Sequence, residues 1–167
     1  GYTWAMAQQA ENSRQSDPRK VDLIVEAPWL ISVVEGQAAI EDAAIAVTAG
    51  TIVAVGTRAE VNRGFQAQSK KTLPSHVLLP GLVNAHGHAA MVLFRGYAED
   101  MSLQTWLNER IWPLESQWVD ETFVRDGTRL ALVEMIRSGI TCFSDMYYYP
   151  EVVAEQAKQA GVRAQIA

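Results

Sequence analysis

Two of the chain's three histidines stand two residues apart, in Asn84-Ala85-His86-Gly87-His88. In an extended chain, residues i and i+2 project to the same side. His86 and His88 can therefore present two imidazoles to one point, and Gly87 adds no side chain to crowd it. Neutral imidazole is a preferred ligand for zinc, iron or nickel, so the chemistry on offer is that of a divalent metal. The pair follows Pro80-Gly81, a turn signal, and Leu82-Val83-Asn84-Ala85, which reads as a short strand buried on both faces. Carboxyl ends of parallel strands are where α/β barrels place their active sites. Two histidines at this spacing also occur in ordinary solvated loops; the lead-in and the scarcity of histidine favour the ligand reading. His76 has no such context and reads as a surface or strand-edge residue.

Two ligands do not complete a site. A catalytic zinc usually takes three protein ligands plus water, and no histidine follows His88. Most of the later acids, among them Glu99, fit helix caps or solvated helix faces. Asp145 differs, because it follows a second apolar run, Ile140-Thr141-Cys142-Phe143-Ser144, and should reach the same end of the sheet. Bonding loop amides and standing in the shell of a metal are both open to it.

The elements that must position these groups divide into two textures. From Val21 to about Val55 the pattern is short strands. Val21, Leu23 and Val25 alternate, Trp29 to Val34 follow, and Ala43–Val47 and Thr51–Val55 flank a hairpin signal, Thr48-Ala49-Gly50. Such a sheet is too small to close a core by itself. Residues 56–75 read as a polar connector. Thereafter strand and helix alternate. Ser102 caps a helix that Pro113 should end or kink. Asp120 caps a longer one, with Val124, Thr128, Ala131, Leu132 and Met135 on one face and Gly139 beyond its end. Pro150 opens a helix through Ala160, Gly161 stops it, and Val162–Ile166 reads as a strand. This β–α–β–α–β order predicts a parallel sheet with helices outside it.

Composition narrows the function classes. Of 167 residues, 49% are hydrophobic, which excludes global disorder. Nineteen acids against 14 bases give a net charge of −5. With no positive stripe, nucleic acid is disfavoured as a partner. An anionic membrane surface is disfavoured too, and no apolar run approaches the length of a bilayer span. Cys142 is the only cysteine and reads as a buried small residue; it fits a reducing compartment, and a cytoplasmic location is expected. Residues 1–20 are polar and lack a signal-like apolar core. They read as a scar plus flexible lead-in, followed by a β-rich segment over 21–75 and the first β/α units over 76–167.

The stretch Leu79-Pro80-Gly81-Leu82-Val83-Asn84-Ala85-His86-Gly87-His88 resembles the strand-one motif of the amidohydrolase superfamily. The segments Met91 to Asp100, Trp106-Leu107, Ile111-Trp112-Pro113-Leu114-Glu115 and Gly139 to Tyr147 resemble one branch of it, the 5-methylthioadenosine/S-adenosylhomocysteine deaminases. The likeness covers about residues 20–167. Gly87 is a departure, since the family more often carries Thr there.

The resemblance implies an α/β fold: the N-terminal part of a (β/α)8 TIM-type barrel, preceded by a segment of a β-sandwich built from both chain ends. It implies one divalent metal, Zn before Fe or Ni, with His86 and His88 as its first two ligands. It gives Glu115 the ribose hydroxyls of a nucleoside substrate and puts Trp106 at the pocket wall. Trp106 as plain core and Glu115 as a solvated acid remain open. The implied reaction is hydrolytic deamination at C6 of an adenine ring. The proton-carrying acid and the remaining ligands are expected beyond Ala167, so no catalytic acid is assigned in this chain.

A barrel of this type takes eight strands and about 250 residues, and three strands are counted here. The 167 residues are therefore expected to be inactive alone. Other aminohydrolases, acting on guanine, cytosine or a triazine, are the nearest alternative. A truncated, non-catalytic chain that associates with itself or a complementary chain through open strand edges is the other; the complete protein is expected to be a homo-oligomer.

Overall fold

A computed structural model describes residues 17–97 and 100–167. Glu99 and most of the 1–20 lead-in thus lie outside the described residues. The chain divides between Pro80 and Gly81 into two units.

The first unit contains β1 (Arg19–Leu30), β2 (Ile40–Thr48), β3 (Thr51–Thr57), α1 (Arg58–Gly64), β4 (Phe65–Thr72) and β5 (Val77–Leu78). Its sheet runs β3-β2-β1-β4, with β5 also on β1. β1–β2 and β2–β3 are antiparallel, whereas β4 and β5 lie parallel to β1. The hairpin forms where the sequence signals it: Ala49 and Gly50 both take positive φ, 49° and 74°, as a two-residue turn matched to strand twist requires. Trp29-Leu30 closes β1 instead of opening a strand of its own, and Ile31–Val34 leave the sheet. Val77–Leu78, grouped by the sequence reading with the later segment, pair with β1.

Residues 56–75 are not a connector. Thr57 accepts from the Glu60 amide at 3.3 Å while Glu60 accepts from the Thr57 amide at 2.9 Å. This reciprocal capping starts α1. Val61 then packs on Val21, Ile24, Ala44 and Ala46. β4 looks like a loop in sequence because its side chains are mostly exposed and polar, yet its backbone supplies the partner that β1 needs. Glu26 is buried on β1 and accepts from Asn62 at 2.9 Å and Thr72 at 3.0 Å, with the Lys70 ammonium at 3.2 Å. Burial alone would raise its pKa; these donors outweigh that and hold the carboxyl below the ordinary range.

The second unit contains β6 (Leu82–Asn84), a tight 3₁₀ turn (Ala89–Phe94), α2 (Leu103–Trp106), a widened helical turn (Leu107–Ile111), α3 (Trp112–Trp118), α4 (Glu121–Arg137), β7 (Ile140–Asp145), α5 (Pro150–Ala160) and β8 (Arg163–Ile166). β6, β7 and β8 are parallel in that order. Asp120 caps α4 by accepting from Phe123 N at 2.7 Å. Gly139 and Gly161 take φ of 81° and 71° beyond their helices. Phe143 is buried with Val124, Leu132, Val153 and Ala157, each large side chain contributing about 1.5–3 kcal/mol.

Pro113 falls in the first turn of α3, directly after the widened turn Leu107–Ile111 that interrupts the regular helix, within the expectation that it ends or kinks this element. Two expectations change here. β6 is not buried on both faces, because Leu82 and Val83 are 55% and 64% exposed. Cys142 is likewise only half-buried. The architecture is mixed α/β with two open sheets, and the described strands form no closed barrel.

Candidate metal and substrate site

β6 ends at Asn84, whose side-chain oxygen accepts from the His86 amide at 3.3 Å. The His86 and His88 rings follow with centroids 5.2 Å apart. The end of β7 clasps this segment at three points. Met146 N donates to Gly87 O at 3.2 Å. Asp145 Oδ1 accepts from Ala89 N at 2.6 Å. His88 Nδ1 lies 2.6 Å from Met146 O. A Cβ at Gly87 would stand 3.2 Å from Ser144 O, so glycine suits this close approach of two strand ends.

A carbonyl oxygen only accepts, so His88 Nδ1 carries a proton, and in the neutral ring the lone pair is then on Nε2. That is the tautomer a metal needs, held by a backbone carbonyl as ligating histidines generally are. Asp145 is 2% exposed, and its Oδ2 is buried without a protein partner among the described residues. Burial raises its pKa, and the Ala89 N–H and His88 only partly offset this. The donors present thus fit two ligands of a divalent metal. Among the described residues no group of three or more His, Cys, Asp or Glu gathers as a full ligand set.

Beside His88 lies a cavity of about 380 Å³, lined also by Trp106, Ile111, Trp112, Glu115 and Tyr147. On an unbroken α-helix, Trp106 and Glu115 would point about 180° apart. The widened turn Leu107–Ile111 between them takes up about one extra residue, and both side chains reach the same cavity. Glu115 is 9% exposed and accepts a hydrogen bond from the Tyr147 hydroxyl at 2.9 Å. Burial first, then this carboxylate, raises the Tyr147 pKa, so the phenol stays protonated and is the donor.

The structure therefore brings His88, Trp106 and Glu115 to one cavity, sets His86 against His88, and puts Asp145 behind the histidine segment. Sequence reasoning missed Tyr147 and the Met146 carbonyl. Their signal was position: both directly follow Asp145 at the carboxyl end of β7. His76 is exposed and lies in the first unit, outside these contacts.

Parallel strands with helices between them, and two histidines just past the carboxyl end of the first, define a β/α unit with a candidate metal site. Residues 77–167, more than half the chain, match the amidohydrolase family, and the chain belongs to it. It is 50% identical over 145 residues to the 5-methylthioadenosine/S-adenosylhomocysteine deaminase of Saccharophagus degradans, covering 87% of this chain and 32% of that protein. It is 44% identical over 146 residues to the enzyme of the same name from Teredinibacter turnerae, covering 87% and 33%. The fold matches a zinc-bound adenosine deaminase from Xanthomonas campestris with TM-score 0.85 and 41% identity, over 88% of this chain and 34% of that one. A zinc complex of atrazine chlorohydrolase from Arthrobacter aurescens shares the fold at 22% identity, with TM-score 0.74 over 87% and 35%. The chain thus spans about a third of the length of these relatives. No helix among the described residues is long and apolar enough to cross a membrane.

Proposed function

We propose that this chain is a segment of a metal-dependent aminohydrolase that deaminates an adenine nucleoside of the 5-methylthioadenosine/S-adenosylhomocysteine type. The observation that carries the reading is one cavity lined by both His88 and Glu115. In it a metal-ready imidazole faces the same space as a nearly buried carboxylate suited to accept from vicinal hydroxyls. Residues 81–167 would supply the first units of a (β/α)8 barrel, and the sheet before Pro80 would supply part of a composite β-sandwich. Relatives named for this reaction and a zinc-bound adenosine deaminase support the reading.

His86 and His88 would hold the metal, most simply Zn. The metal's contribution, when bound, is to lower the pKa of water so that hydroxide is available near neutrality. The chain's own residues do the rest of what falls to this segment. Met146 O keeps the proton of His88 on Nδ1. Trp106, Trp112 and Tyr147 give the cavity aromatic walls on which a purine can lie. Glu115 accepts the ribose hydroxyls. Asp145 holds the Ala89 amide and so fixes the backbone beside His88. The residue that carries the proton to leaving ammonia is not among these.

The test is ammonia release by the zinc-loaded protein at the length of its relatives, offered 5-methylthioadenosine, S-adenosylhomocysteine, guanine, cytosine and a triazine. The nucleosides should lead in kcat/KM by at least about 100-fold, as expected of a site built to bond substrate hydroxyls. Preference for a free base or triazine would move the assignment to another aminohydrolase. The 167-residue chain alone should show no turnover above a His86→Ala control.

A further inference from the structure

We infer that Tyr147 is a specificity-determining positioning residue, which holds the Glu115 carboxylate in the orientation that reads the two vicinal hydroxyls of a ribosylated substrate. This deepens the proposed function and rests on Glu115 having that role.

The two residues come from different elements: Glu115 from α3, and Tyr147 from the segment after β7. They are linked by the 2.9 Å hydrogen bond from the Tyr147 hydroxyl to Glu115 Oε1. A carboxylate on a helix turn has free rotation about its terminal bond. Binding a diol needs both oxygens presented in one plane, and a rotor loses entropy when it is fixed by substrate alone. The Tyr147 phenol fixes it beforehand. It takes one acceptor site of Oε1 and leaves the second site of Oε1 and all of Oε2 for substrate hydroxyls. The Tyr147 ring is itself braced. It packs edge-on to Tyr148 with centroids 5.1 Å apart, and stands 6.4 Å from the His88 ring. One side chain therefore touches the hydroxyl-reading carboxylate and flanks the metal-side histidine.

The test compares Tyr147→Phe, Glu115→Gln and the double variant in the protein at the length of its relatives. Each is offered 5-methylthioadenosine and its 2′,3′-dideoxy analogue, and the readout is the ratio of the two kcat/KM values. Thermal midpoints confirm folding, and Tyr147→Phe keeps the ring packing. Tyr147→Phe should lower the diol-to-dideoxy ratio about ten-fold, the scale of one hydrogen bond to a charged group, through KM more than kcat. Glu115→Gln should lower it at least as far, and the double variant no further than Glu115→Gln alone. If Glu115→Gln lowers the ratio and Tyr147→Phe does not, or if the two losses simply add, the positioning role is overturned while the reading of Glu115 stands. If Glu115→Gln leaves the ratio unchanged, the reading of Glu115 falls and the role of Tyr147 falls with it.

Discussion

The Nδ1 atom of His88 lies 2.6 Å from the carbonyl oxygen of Met146, which joins the ends of β6 and β7 and, in the neutral ring, puts the lone pair on Nε2. The tautomer is thus set by the backbone before any metal binds. Replacing either His86 or His88 with Ala in the full-length protein should lower zinc affinity by more than the roughly 10–100-fold that loss of a supporting contact causes. Titration with a competing zinc indicator measures this. Unchanged affinity in both variants would remove the pair from the metal site.

Asp145 supports the same segment from behind. Asp145→Ala leaves the Ala89 N–H without its 2.6 Å partner in a buried place and should cost about 1–3 kcal/mol of stability. Asp145→Asn keeps an acceptor at that position and should recover most of the loss. Denaturant unfolding of both variants makes the comparison; equal losses would show that the charge, not the amide contact, matters.

Glu26 sets an acid limit on the first unit. Its folded pKa lies below its unfolded value, roughly 4.3 for a free Glu. Its contribution is therefore complete above that value and is lost as pH falls through the folded pKa. Amide protection factors along β1, corrected for the intrinsic exchange rate at each pH, should fall on acidification below about pH 4.3 in the wild type. In Glu26→Gln this pH dependence should be smaller. An identical pH profile in the variant would show that other carboxylates govern the sheet.

Gly127 lets α4 lie against the turn that follows the histidines. A Cβ there would fall 2.5 Å from Ala90 O and 2.8 Å from Ala90 Cα, both backbone atoms. Gly127→Ala should therefore destabilise by about 1–3 kcal/mol, despite the better helix propensity of Ala. Thermal unfolding reports it, and a stabilised variant would mean that the turn yields.

Much of this was legible in sequence, for reasons that differ between elements. The α4 face from Val124 to Met135 and the caps Asp120, Gly139 and Gly161 are local, and local signals survive into the fold. β4 was not legible, because its partner β1 lies more than 40 residues away and its own side chains carry almost no apolar pattern. α1 was overlooked although Thr57 and Glu60 carry the capping signature. His86 and His88 are marked as candidate ligands by their spacing, and their rings stand with centroids 5.2 Å apart. The union of Trp106 with Glu115 depends on the widened turn Leu107–Ile111, which a uniform helical period hides. Tyr147 stayed hidden because its role depends on a contact with Glu115, 32 positions away.

The central claim is hydrolytic deamination of an adenine nucleoside at the site that His88 and Glu115 share. Its most direct test is mass analysis of the product made from 5-methylthioadenosine in ¹⁸O-labelled water by the zinc-loaded full-length protein. One ¹⁸O in the purine ring product and one ammonia released per turnover are expected, with both lost in His88→Ala. Intact substrate, or a product cleaved at the ribose with the amino group retained, would contradict it.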